Sequence, residues 1–153
     1  MKTLVLLAAV ATMFSAKPDS GELVGPARFC GYSPIIDLLP GERVLTLEGG
    51  IHGGRFRWDG SFGSLDVFGT GWASRPPGRI SRPQTDTRPA RFAQRREDDR
   101  YVVAIWNGEH GAAYFSSDKP LTLRQTRAIS RVTLYQEGET PSGCDLQTVF
   151  VWE

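Results

Sequence analysis

The chain has only two histidines, His52 and His110, and imidazole is the side chain that gains and loses a proton near neutral pH. Each lies among glycines, in Gly49-Gly50-Ile51-His52-Gly53-Gly54 and Gly108-Glu109-His110-Gly111. Glycine at such places lets a ligand or a second backbone come close. If the two loops met at one end of the fold, His52, His110, Glu109 and Asp59 would form an acid–base or metal cluster. No His-x-x-x-His spacing ties them together, so the plainer reading is two separate, exposed loop histidines. Serine nucleophiles lack a Gly-x-Ser-x-Gly frame. Neither a phosphate loop nor a Gly-x-Gly-x-x-Gly turn is present. The sequence therefore calls for no cofactor and no metal, and the leading expectation is a non-catalytic protein. A small hydrolase or metal-dependent enzyme using His52 and His110 is the alternative.

Anion binding is the other chemistry on offer. Between Arg75 and Arg100 stand eight arginines against four acids, Asp86, Glu97, Asp98 and Asp99. A guanidinium fork binds phosphate, sulfate or carboxylate through two parallel hydrogen bonds. Arg75, Arg79, Arg82, Arg88, Arg95 and Arg96 are the candidate contacts, with Trp72 beside them. The Glu97-Asp98-Asp99 run sits among these arginines and reads as a self-neutralising charge cluster. Candidate partners are an acidic polysaccharide, a lipid head group or an acidic protein surface; the bland reading is a solvated, flexible loop. A net charge of +1 and an exported location argue against nucleic acid. Of the four tryptophans, Trp58 and Trp152 fall in alternating runs and read as core, whereas Trp72 follows Gly71 at a strand end and reads as exposed.

The compartment is read from the first residues. Met1-Lys2 precedes an apolar run from Leu4 to Phe14, then Ser15-Ala16-Lys17-Pro18. This is the order of a signal peptide over residues 1–16, and the run is shorter than the roughly 20 residues a spanning helix needs. Cutting after Ala16 leaves bulky Phe14 where a small residue is usual, while cutting after Ala11 leaves a short apolar region. Export to a periplasm or the cell exterior follows, and no later segment is long and apolar enough to span a membrane. In an oxidising compartment the two cysteines, Cys30 and Cys144, read as one disulfide. Zinc would want further cysteines in Cys-x-x-Cys pairs.

What must position these groups is a β framework. With 153 residues, 40% of them hydrophobic, the chain has room for one domain with a packed core. Seventeen glycines and ten prolines between short apolar runs suit an all-β chain with many turns. Residues 17–27 read as an N-terminal arm, and residues 28–153 as the β domain. Ser33-Pro34 and Pro40-Gly41 bracket a short helical turn. Residues 43–72 form a three-stranded meander, in which Phe56 and Trp58 share one face and Arg55 and Arg57 the other. Residues 73–99 hold four prolines and little periodicity, so they are a long Arg/Pro-rich connection, functional or disordered. Strands then resume at 100–106, apolar on both faces, and at 112–116, 121–125, 129–136 and 145–152. About eight short antiparallel strands at this spacing make a β-sandwich or a small barrel.

Overall fold

A computed structural model describes residues 21–136 and 138–148. The expected signal peptide and Trp152 lie outside the described residues. The meander comes first: β4 (Arg43–Gly49), β5 (Gly53–Gly60) and β6 (Gly63–Thr70) pair antiparallel in sequence order. Strict alternation in β5 buries Phe56 and Trp58 and leaves Arg55 and Arg57 exposed. β11 (Ala112–Ser117) joins β6, and β10 (Arg100–Trp106) joins β11. Beyond Gly21, β1 (Glu22–Val24) pairs with β4, so part of the expected arm is an edge strand.

Residues 73–99 are not an unpatterned loop. They contain β7 (Ile80–Arg82), β8 (Ala90–Phe92) and β9 (Arg95–Glu97). β8 and β9 both run along the free edge of β10. Arg91 pairs with Ile105 and Arg95 with Val102, so four steps on one side match three on the other. One extra residue is therefore accommodated at 93–94, which is a β-bulge. β7 pairs with β8 through a second irregularity at Ser81. These strands are three residues each, with prolines in the connections around β7 and β8, which is why periodicity did not reveal them.

A smaller sheet runs β12 (Thr133–Leu134), β3 (Pro34–Leu38), β2 (Ala27–Cys30) and β13 (Leu146–Gln147). Its β13–β2 pair is parallel and the others are antiparallel. The expected helical turn is thus β3: Pro34, Ile36 and Leu38 are buried, Asp37 is exposed, and that period of two matches pairing with β2. Pro34 tolerates the strand because it stands at its first residue. The one α-helix described, α1 (Leu123–Ile129), replaces the strand expected at 121–125 and the start of that expected at 129–136. Thr122 caps it and Gln125 answers in a reciprocal capping box. Of the strand expected at 145–152, only β13 lies within the described residues.

The two sheets pack on each other through one core. Phe29 of β2 meets Phe56 of β5 edge-on at 4.8 Å, and Trp58, Leu65, Val67, Val103, Ile105 and Phe115 fill the same cluster with Ile129 of α1. Fully burying one such side chain contributes about 1.5–3 kcal/mol. Gly69 is required at the contact, since a Cβ there would lie 2.6 Å from Cδ of Pro34. The large sheet ends at β1 and β7 and does not close, so the sandwich alternative holds and the barrel does not. A satellite cluster of Ala90, Phe92 and Ala104, with Trp106 and Tyr114 against it, lies on the opposite face. β10 is therefore covered on both faces, as its apolar run indicated. Cys30 and Cys144 form the expected disulfide, with Cα atoms 5.8 Å apart.

Candidate functional site: an aromatic and arginine-lined cleft

The face of the large sheet turned away from the smaller one is concave. A cleft of about 780 Å³ lies along it. Its floor is built from cross-strand neighbours: Arg57 opposite Asp66, and Phe68 opposite Tyr114. Arg100 extends the floor and bonds Asp66 at 2.6 Å. One wall is the chain from Trp72 to Pro77, including Arg75. The other is β9, whose Arg95 and Glu97 pair at 2.7 Å. Arg95 also donates to the carbonyl of Pro77 at 3.3 Å, tying the two walls together.

Five arginines line the cleft (Arg55, Arg57, Arg75, Arg95, Arg100) against three acids (Asp66, Glu97, Asp98). Arg57 and Arg100 share Asp66, Arg95 pairs with Glu97, and Arg55 and Arg100 also reach Glu48 and Asp118 outside the lining. Arg75 makes no ion pair among the described residues, and its side chain is exposed. The guanidinium of Arg95 lies 6.0 Å from the centre of the Tyr114 ring, and Phe68 lies 6.1 Å from that ring. Burial pushes the Tyr114 phenol above its ordinary value of 10.0, against the pull of nearby Arg95. Its hydroxyl is thus a neutral hydrogen-bonding group across the physiological pH range.

Trp72 stands at one end of the cleft, 71% exposed but held by its backbone. Its amide donates to Thr70 Oγ1 at 3.1 Å, and that hydroxyl donates to the His52 carbonyl at 2.8 Å. The next amide, Ala73, donates to the His110 carbonyl at 2.7 Å. Both imidazoles pack on the indole, at 4.8 Å for His52 and 6.3 Å for His110. The two histidine loops therefore do meet, on Trp72. Buried Asn107 shapes the second loop by accepting from the amides of Glu109 and Gly111. Asp59 does not join them. It pairs with Arg43 at the far end of β5, six residues and roughly 20 Å along the strand from Gly53. Among the described residues, no group of three or more His, Cys, Asp or Glu side chains is placed to hold a metal ion.

The candidate arginines divide. Arg75 and Arg95 line the cleft with Trp72. Arg96 pairs instead with Asp99 at 2.9 Å and lies over Tyr101. Arg82 and Arg88 belong to the β7–β8 hairpin, and Arg79 holds Ala93 through its backbone carbonyl at 2.8 Å. The floor residues Arg57, Phe68, Arg100 and Tyr114 were not among the sequence candidates. The alternation Arg55-Phe56-Arg57-Trp58 carried a signal for two floor arginines, because it sets both on the face away from the core. Compared with protein-family models, curated proteins and solved structures, the chain matches none.

Proposed function

We propose that this chain is an exported, non-catalytic binding module whose cleft takes a segment of acidic polysaccharide. The observation that carries the reading is the convergence of Trp72, Phe68 and Tyr114 with five arginines on one concave face. Aromatic faces cover the apolar side of a sugar ring, and guanidinium forks pair with its carboxylate. A groove open along the sheet accepts a threaded polymer better than the convex surface of a folded protein. Export rests on the charged and apolar order of the first residues and on an oxidised disulfide. No helix among the described residues is long and apolar enough to cross a membrane.

Calorimetric titration with polygalacturonate, against neutral dextran, tests the reading. Binding to polygalacturonate alone is expected, weakening as salt rises. Trp72→Ala and Arg75→Ala are each expected to lower affinity roughly tenfold. Equal binding to dextran, or affinity unchanged in the double variant, would refute it. A hydrolase using His52 and His110 is the second reading, favoured by the packing of both imidazoles on Trp72 beside the cleft. New reducing ends in the same mixture, abolished by His52→Asn with His110→Asn, would replace the binding reading with that one.

A further inference from the structure

The outer hairpin of the large sheet holds a second group of arginines, of which Arg82 and Arg91 face away from the cleft. Arg82 in β7 stands directly opposite Arg91 in β8. Arg88 lies in the connection between them, where its backbone pairs with Thr85. Arg91 is also the cross-strand partner of Ile105, and directly opposed residues share a face. Ile105 belongs to the main core, so Arg91 and Arg82 lie on the core side of the sheet. The bulge at 93–94 makes this possible: it sends Arg91 to one face and Arg95 to the other, although an even spacing would align them.

Like charges directly opposite one another destabilise a sheet. Several other arginines are offset by carboxylates, as at Arg28–Asp37, Arg43–Asp59, Arg100–Asp66 and Arg131–Glu42. None of Arg82, Arg88 and Arg91 makes an ion pair among the described residues. Arg82 donates through Nη2 to the carbonyl of Pro89 at 3.3 Å, but its Nε is buried with no acceptor. Burial first, and a neighbouring arginine second, push both Arg82 and Arg91 below the ordinary arginine value.

We propose that Arg82, Arg88 and Arg91 form a binding site for a tetrahedral oxyanion, a phosphate or sulfate group either free or esterified to a sugar. Such a group offers oxygens in several directions, which the terminal nitrogens of the guanidinium groups can share. A phosphate carries about −1.5 to −2 charges near neutrality, enough to offset most of the repulsion among the three cations. The site is separate from the cleft and stands or falls independently of the polysaccharide reading.

Thermal unfolding of the full chain tests it, in sodium phosphate, sodium sulfate, glucose 6-phosphate and glucose 6-sulfate, each against sodium chloride at matched ionic strength. The midpoint is expected to rise with the oxyanions beyond the chloride control. A response to the free ions alone assigns an inorganic ligand, and a response extending to the sugar esters assigns an esterified one. Arg82→Gln and Arg91→Gln are each expected to weaken phosphate binding roughly tenfold or more by calorimetry. Without oxyanion, both variants should be at least as stable as the native chain, because a like-charge contact is gone. Trp72→Ala and Arg75→Ala should keep the full response. An equal shift with chloride, or a phosphate response retained in both glutamine variants, would overturn the proposal.

Discussion

Arg28 does more than its sequence position suggests. Its guanidinium pairs with Asp37 through two hydrogen bonds of 2.7 and 2.9 Å, and it also donates to the carbonyl of Ser142 at 3.3 Å. Its amide donates to the carboxylate of Asp145. One residue thus joins β2, β3 and the segment that carries Cys144. The hydrogen bonds from Arg28 hold the Asp37 carboxyl below its ordinary value of 3.8. A carboxyl whose pKa falls on folding stabilises the fold above its unfolded pKa, and that stability is lost as pH falls through the folded value. Asp37 is exposed, so the effect is modest and screened by salt. Unfolding midpoints of the native chain and Asp37→Asn should therefore differ at pH 5 and converge as pH falls below about 4. A difference independent of pH would mean that the pair contributes nothing through its charge. At the cleft, the exposure of Trp72 was legible from the sequence, which sets it after a glycine at a strand end. Its position between two histidine loops was not, because the hydrogen bonds that place it join residues far apart in the chain.

At the scale of elements, short segments are where local reading fails. Residues 121–125 have the apolar spacing of a strand, yet Thr122 and Gln125 also spell a helix start. The cap decides the outcome. Its hydroxyl accepts from the Gln125 amide, and the Gln125 side chain accepts from the Thr122 amide and donates to the carbonyl of Ser64 in β6. Thr122→Ala is expected to lower the unfolding free energy by about 1 kcal/mol, measured by urea titration. No measurable loss would show that packing of Ile129 and Ala128 holds the helix without its cap. β3 is the converse case. Its flanking prolines and glycine resemble helix punctuation, but pairing with β2 and β12 and three buried side chains override them. The strands of the meander and β10 were plainly legible, since six to eight residues of alternating or doubly apolar pattern leave little ambiguity.

For the whole molecule, the Cys30–Cys144 bridge closes a sequence separation of 114 residues. It fastens the smaller sheet to the C-terminal segment, where β13 contributes only two paired residues. In the chain-entropy view a loop of this length stabilises the fold by about 4–5 kcal/mol. Replacing both cysteines by serine should lower the unfolding free energy by that order, read from denaturant titration under oxidising conditions. A loss within error would show that the bridge adds nothing the sheets do not already supply.

The chain's residues alone determined its β class, the faces of the long strands and the partnership of its two cysteines. These depend on a period of two along one strand and on a pair with no competitor. Tertiary structure decided which arginines act together. Arg91 and Arg95 are separated by an even number of residues and would share a face in an unbroken strand, but the bulge at 93–94 sends one toward the core side and the other into the cleft. Alternation is a local property, whereas the register of an edge strand is set by the strand it pairs with, here β10, and no window along the sequence contains both.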